Sequence, residues 1–258
     1  MEKKEDYGDQ AFWDLQELMN RVEELDEELK EHVDEESTFP TLKHPLVFQV
    51  PYTPMHNAMA NQALRNKKVM LRDALKDKNL EKVIWLHERP YRLDALHLAW
   101  RECGATSQVL AKMINQVWLD SENIWQNYMR WKELLEISGR NALRGVVDEE
   151  DAKTFNELPD RVTVYRGGRV DWDDMMDSMP PFSWTLDIER ARWFAHRFEW
   201  KPDCYLITAE IDKEDIYFFT DARNEQEVVV DPEGLEIKTI MKLSLPNESP
   251  HLYEPLEA

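Results

Sequence analysis

From His56 to about Arg144 only Pro90, Gly104 and Gly139 interrupt helix-forming sequence, whereas beyond Asp148-Glu149-Glu150-Asp151 the chain breaks into short strand-like runs. Helices first and strands afterwards argue for an α+β arrangement and against a repeated βαβ unit. In the first part apolar residues recur at helical spacing, as in Val83, Leu86, Leu93, Leu96 and Trp100, which predicts roughly three to five helices. In the second part the strands are expected at 162–165, 205–211, 216–219, 227–230 and 237–241. A single helix, about 187–199, interrupts them, with Thr185 or Asp187 available as its N-cap.

Charge divides the chain in the same way. Residues 1–36 hold 15 acidic against 4 basic residues, and Leu15, Leu18, Val22, Leu25 and Leu29 mark an amphipathic helix through them, either a solvated arm or a partner-binding one. Residues 37–55 contain Pro40, Pro45, Pro51 and Pro54 and are expected to be a linker or an extended wrap. Residues 56–147 form the expected helical lobe, and 148–258 the β-rich core, which is strongly acidic. Arg65, Lys67, Lys68, Arg72, Lys76, Lys78 and Lys82 fall on one predicted helix and its extension, where they either guide a phosphate backbone or pair with the acidic arm. The stripe Trp118, Trp125, Tyr128, Trp131 reads as core or as a docking face.

Several chemistries drop out. Cys103 and Cys204 lie far apart without clustered histidines, so they suggest neither a zinc site nor a redox pair and read as buried free thiols. His87-Glu88 lacks the second histidine of a zincin, since Tyr91 stands in its place and Pro90 breaks the helix. Seven scattered glycines assemble neither a dinucleotide fingerprint nor a P-loop. With no apolar leader or membrane-length run, the expected setting is the cytoplasm, with no membrane partner.

Three short segments carry chemistry. Tyr165-Arg166-Gly167-Gly168 ends a predicted strand, where an arginine can pair with phosphate and glycines allow close approach to the backbone. Ser183-Trp184-Thr185 places two hydroxyls on one face of an extended segment. Glu225-Gln226-Glu227 enters the strand at 227–230, and period-two alternation predicts both carboxylates on one side. Each segment alone has a plain structural explanation: a surface ion pair, a helix cap, a solvated edge.

In this order the three segments resemble the Arg-Ser-Glu class of mono-ADP-ribosyltransferases, over roughly residues 162–231. Trp184 and Thr185 depart from the Ser-Thr-Ser pattern of that class. The wider layout looks similar to transferase-like proteins of phages and proteobacteria. The resemblance implies a split β-sandwich and the use of NAD as substrate without a metal. It implies Glu227 as the carboxylate that stabilises an oxocarbenium-like transition state, oriented by Ser183. Arg166 and Gly167, with Tyr165, Ser183 and Thr185, would hold NAD, and Glu225 would act as base toward the acceptor. The implied acceptor is a macromolecule, with protein arginine favoured over nucleic acid, as for a phage or toxin-type effector. A non-catalytic interaction protein on a degenerate transferase fold and an NAD-hydrolysing toxin stand as the alternatives.

Overall fold

A computed structural model describes residues 17–18, 21–36, 38–121, 124–168, 181–197 and 204–243. The fold is α+β with antiparallel sheets, and the chain divides into two compact units between Ala105 and Thr106. This boundary falls inside the stretch expected to be one helical lobe, because the helices after Thr106 pack on one another and, through residues 140–144 and 149–157, on the later sheet.

In the first unit the acidic segment differs from a continuous amphipathic helix. Residues 21–26 are not helical, Val22 is 99% exposed, and only a short helix α1 (Glu27–Lys30) follows, capped by the Asp26 side chain. Leu25 and Leu29 are nevertheless buried, in one cluster with Leu42, Leu46, Val47, Ala60 and Leu64. The proline-rich stretch also differs from a bare linker. It contains β2 (Thr41–His44) and β3 (Val47–Gln49), which form an antiparallel three-stranded sheet with β1 (Val33–Asp34). Pro40, Pro45 and Pro51 lie outside the strand interiors, where a missing N–H costs no ladder bond. Helix α2 (Asn57–Lys76) follows, ending near Lys78 at φ +53°, then α3 (Leu80–Leu86), capped by Asn79, and α4 (Arg92–Cys103), ended by Gly104 at φ +71°.

The acidic arm and the basic helix meet within this unit. Lys68 bonds Glu28, and Arg65 lies 3.6 Å from Glu23. Lys67 pairs with Glu88 at 2.6 Å. The pairing alternative for the lysine-rich face is therefore the one seen at Arg65 and Lys68.

The second unit begins with α5 (Ser107–Asp120), capped by Thr106, and α6 (Tyr128–Ser138), which stops at Gly139 with φ +79°. Short α7 (Arg140–Arg144) precedes α8 (Glu149–Glu157), a helix the strand-like reading of this region did not anticipate. Its cause is the acidic run itself: Asp148 caps the helix, and Glu149, Glu150 and Asp151 occupy the first turn, where the helix dipole favours negative charge.

One six-stranded antiparallel sheet follows, in the order β7-β8-β5-β4-β6-β9. The strands are β4 (Arg161–Gly168), β5 (Ser183–Thr185), β6 (Cys204–Asp212), β7 (Ile216–Thr220), β8 (Glu227–Val230) and β9 (Glu236–Leu243). All five expected strands are present. β4 pairs with β6 along its whole length but with β5 only at Tyr165 opposite Thr185, so the sheet has two halves joined by a single residue pair. Helix α9 (Ile188–His196), capped by Asp187, lies on β4. The sheet core is built from Val162, Val164, Trp184, Ile207, Phe219 and Val228 among others. Cys103 and Cys204 are buried free thiols.

Candidate functional site

The junction between the two half-sheets is where the singled-out residues meet. Because β8 pairs with β5 and β5 with β4, residues far apart in sequence come to adjacent strands: Glu227 stands opposite Thr185, which stands opposite Tyr165. The Ser183 hydroxyl donates to Glu227 Oε1 at 2.5 Å. Arg166, next to Tyr165 on β4, donates through Nη1 to the Ser183 carbonyl. Arginine, serine and glutamate thus form one continuous group across three strands.

Glu227 is 3% exposed, and both of its oxygens are engaged. Trp118 Nε1–H, from α5, donates to Oε1 at 3.2 Å, and Arg223 Nη2 donates to Oε2 at 2.7 Å. A buried carboxylate must be held by such donors or its desolvation would be prohibitive. Arg166 is half-buried, and desolvation pushes its guanidinium down to about 10, against the opposing pull of the Glu227 charge. An arginine at that value still carries its charge at neutral pH.

Glu225 and Glu227 are not paired by strand alternation. β8 starts only at Glu227, and Gln226 has φ +44°, which breaks the period-two pleat. Their carboxylates are linked instead through Arg223, whose Nε lies 3.2 Å from Glu225 Oε2. Burial raises the Glu225 pKa, and the Glu227 charge adds to the rise while Arg223 opposes it. A carboxyl shifted in this direction is a better proton acceptor than an ordinary one once ionised.

Two candidates have structural duties. The Thr185 hydroxyl donates to the Glu225 carbonyl at 2.6 Å and accepts from the Asp187 amide at 3.0 Å, so it fixes the Glu225 loop and the start of α9. At Gly167 a Cβ would fall 1.7 Å from the Ala191 carbonyl oxygen and 2.6 Å from the Ala195 nitrogen. The missing side chain therefore permits close packing of α9 on β4.

The sequence alone does not place Trp118 or Arg223 on Glu227. Trp118 belongs to the aromatic stripe and is indeed core: it packs edge-to-face on Trp131 and Phe218, with centroids 5.0 and 6.0 Å away. Its indole N–H was the available signal, since a buried tryptophan needs an acceptor. Tyr128 stacks on Phe182 at 4.6 Å, while the Trp125 side chain lies outside the described residues. Arg223 comes from the loop between β7 and β8.

No group of three or more metal-ligating side chains occurs among the described residues, and none of their helices is long and apolar enough to cross a membrane. No family model matches the chain, and neither curated proteins nor solved structures give a significant match.

Proposed function

We propose that the protein is an NAD-dependent mono-ADP-ribosyltransferase of the Arg-Ser-Glu class, with protein arginine as the favoured acceptor and the cytoplasm as its setting. The observation that carries the reading is the hydrogen bond from Ser183 to Glu227, beside Arg166, on three neighbouring strands. These residue types were selected from the sequence by their order alone, and they converge through pairings that order does not dictate. The narrow β4–β5 junction also fits the split β-sandwich of such transferases.

Glu227 would face the ribose of NAD and stabilise the positive charge that builds at C1′ as the bond to nicotinamide breaks. The Ser183 hydroxyl and the Trp118 N–H hold that carboxylate in a fixed orientation, so no reorganisation is needed at the moment of reaction. Arg166 supplies a fixed positive charge for the NAD phosphates or ribose oxygens. Glu225 accepts the proton of the attacking acceptor nitrogen as the new bond to C1′ forms and nicotinamide leaves.

The test is incubation of the purified protein with NAD labelled in the adenylate half, alone and with host lysate. Nicotinamide release together with label on protease-sensitive material is expected. Release without transfer would assign NAD hydrolysis, and no release in either sample would refute the enzyme reading.

A further inference from the structure

We propose that Glu225 and Glu227 form a guanidinium-binding site whose resident ligand is the chain's own Arg223, so that an incoming acceptor must displace this side chain. The inference rests on the transferase reading for its biological meaning, but its physical content is a statement about one ion-binding site.

Arg223 spans both carboxylates, with Nη2 on Glu227 at 2.7 Å and Nε on Glu225 at 3.2 Å. These are the two groups to which the reading gives the ribosyl charge and the acceptor's proton. A guanidinium presents its donors as a planar fork, which an ammonium cannot reproduce, so the spacing of these two carboxylates selects for guanidinium chemistry. Arg223 thus lies where a guanidinium acceptor has to be received.

The loop that carries Arg223 is held independently of that side chain. The Asp221 amide donates to Asp151 Oδ1 at 2.9 Å, the Asn224 amide to the Asp221 carbonyl at 2.8 Å, and the Gln226 amide to Asp221 Oδ1 at 2.9 Å. Arg190 Nη2 adds a bond to the Asn224 carbonyl at 2.6 Å, and Thr185 one to the Glu225 carbonyl. Asn224 and Gln226 both adopt left-handed backbone, at φ +53° and +44°, which fixes a tight turn. A backbone tied at so many points does not have to open for the site to be uncovered. The Arg223 side chain, 36% exposed, can leave by rotation about its own bonds while the carboxylates stay in place.

Displacement replaces one charge-assisted pair with another, so wild-type protein should bind free guanidinium weakly and variants without the resident arginine should bind it well. Methylguanidinium is the probe, titrated calorimetrically into wild type, Arg223→Gln and Arg223→Met, with methylammonium as the control of equal charge. Circular dichroism establishes that each variant is folded, and the methionine variant keeps the aliphatic stem if glutamine disturbs packing. The expected result is a gain of about tenfold in methylguanidinium affinity in the Arg223 variants, absent for methylammonium and lost again in Arg223→Gln/Glu225→Gln. Affinity within about twofold of wild type in both folded Arg223 variants would overturn the proposal. Nicotinamide release is measured on the same samples: guanidinium binding gained without any NAD cleavage supports the site and refutes the transferase reading, whereas NAD cleavage with no gain overturns the site alone.

Discussion

The two units bury polar side chains to different ends. In the first, Asn57 and Asn61 stand one turn apart on α2 and hold the segment before α1. Asn61 accepts from the Asp26 amide and donates to the Glu24 carbonyl and to Glu23 Oε1, each at 2.8 Å, and Asn57 donates to the Glu23 carbonyl at 3.2 Å. These are neutral amides matched mostly to backbone groups, and every bond serves to fix a chain segment. In the second unit Ser183, Trp118 and Arg223 converge on a single buried charge, Glu227. A buried charge is a poor way to stabilise a fold, since its desolvation cancels much of what its partners return. Under the proposed function, the contrast separates polar burial that holds structure from polar burial that holds a reagent.

Changing the reagent should therefore cost activity, and changing the strap should cost stability. The largest expected effect is from Glu227→Gln, which keeps shape and removes charge: nicotinamide release and transfer should both fall by about a thousandfold. Denaturant unfolding of that variant should shift by only about 1–2 kcal/mol, because the amide oxygen still accepts from Ser183 and Trp118 and the partly exposed Arg223, which loses its carboxylate, can turn to solvent. A variant with full turnover would break the comparison at its centre.

Glu225→Ala should reduce transfer by about a hundredfold while leaving measurable NAD hydrolysis, since only the acceptor's base is lost. The pH profile sharpens this. The Glu225 pKa is raised by burial and by Glu227, and a base works only when deprotonated, so wild-type transfer should fall on acidification at a higher pH than an ordinary glutamate would give. Loss of that acid limb in Glu225→Gln, read from residual turnover against pH, assigns it to this group; an unchanged limb assigns it elsewhere.

On the structural side, Asn61→Ala removes three hydrogen bonds from a position that is 4% exposed. Stability should fall by about 2 kcal/mol, and hydrogen exchange at the Asp26 amide, which Asn61 protects, should accelerate. Unchanged exchange there would show that Leu25 and Leu29 hold the segment without the asparagine.

How much of this was legible in the sequence follows from which contacts are local. Five of the six strands of the second unit were readable because β-branched and aromatic runs with turn residues between them report their own state. Arg166, Ser183 and Glu227 were selectable by type and order, but their meeting depends on β5 joining β4 to β8, a pairing that no periodicity encodes. Glu225 and Glu227 do share one partner, Arg223, but not through strand alternation, because the left-handed Gln226 interrupts the pleat the motif suggested. In the first unit the helical spacing marked Leu25 and Leu29, which are buried, but also Val22, which is exposed, because residues 21–26 are not helical and Asn57 and Asn61 take up the backbone carbonyls of Glu23 and Glu24.

Trp118 lies between the two kinds of polar burial and gives the smallest and most discriminating expected effect. It is fully buried, its ring packs on Trp131 and Phe218, and its N–H meets the carboxylate. Phenylalanine at this position keeps an aromatic ring against both neighbours and deletes only the donor and part of the ring volume. Some stability should be lost to the smaller ring, on the order of 1 kcal/mol, read from denaturant unfolding. If the donor matters for Glu227, Trp118→Phe should also lower nicotinamide release per folded molecule by about tenfold, less than Glu227→Gln because the charge remains and Ser183 still holds the carboxylate. Correcting turnover for the folded fraction separates the two effects. Stability loss with unaltered corrected turnover would place Trp118 with Asn61, as a residue whose polar group serves the fold alone.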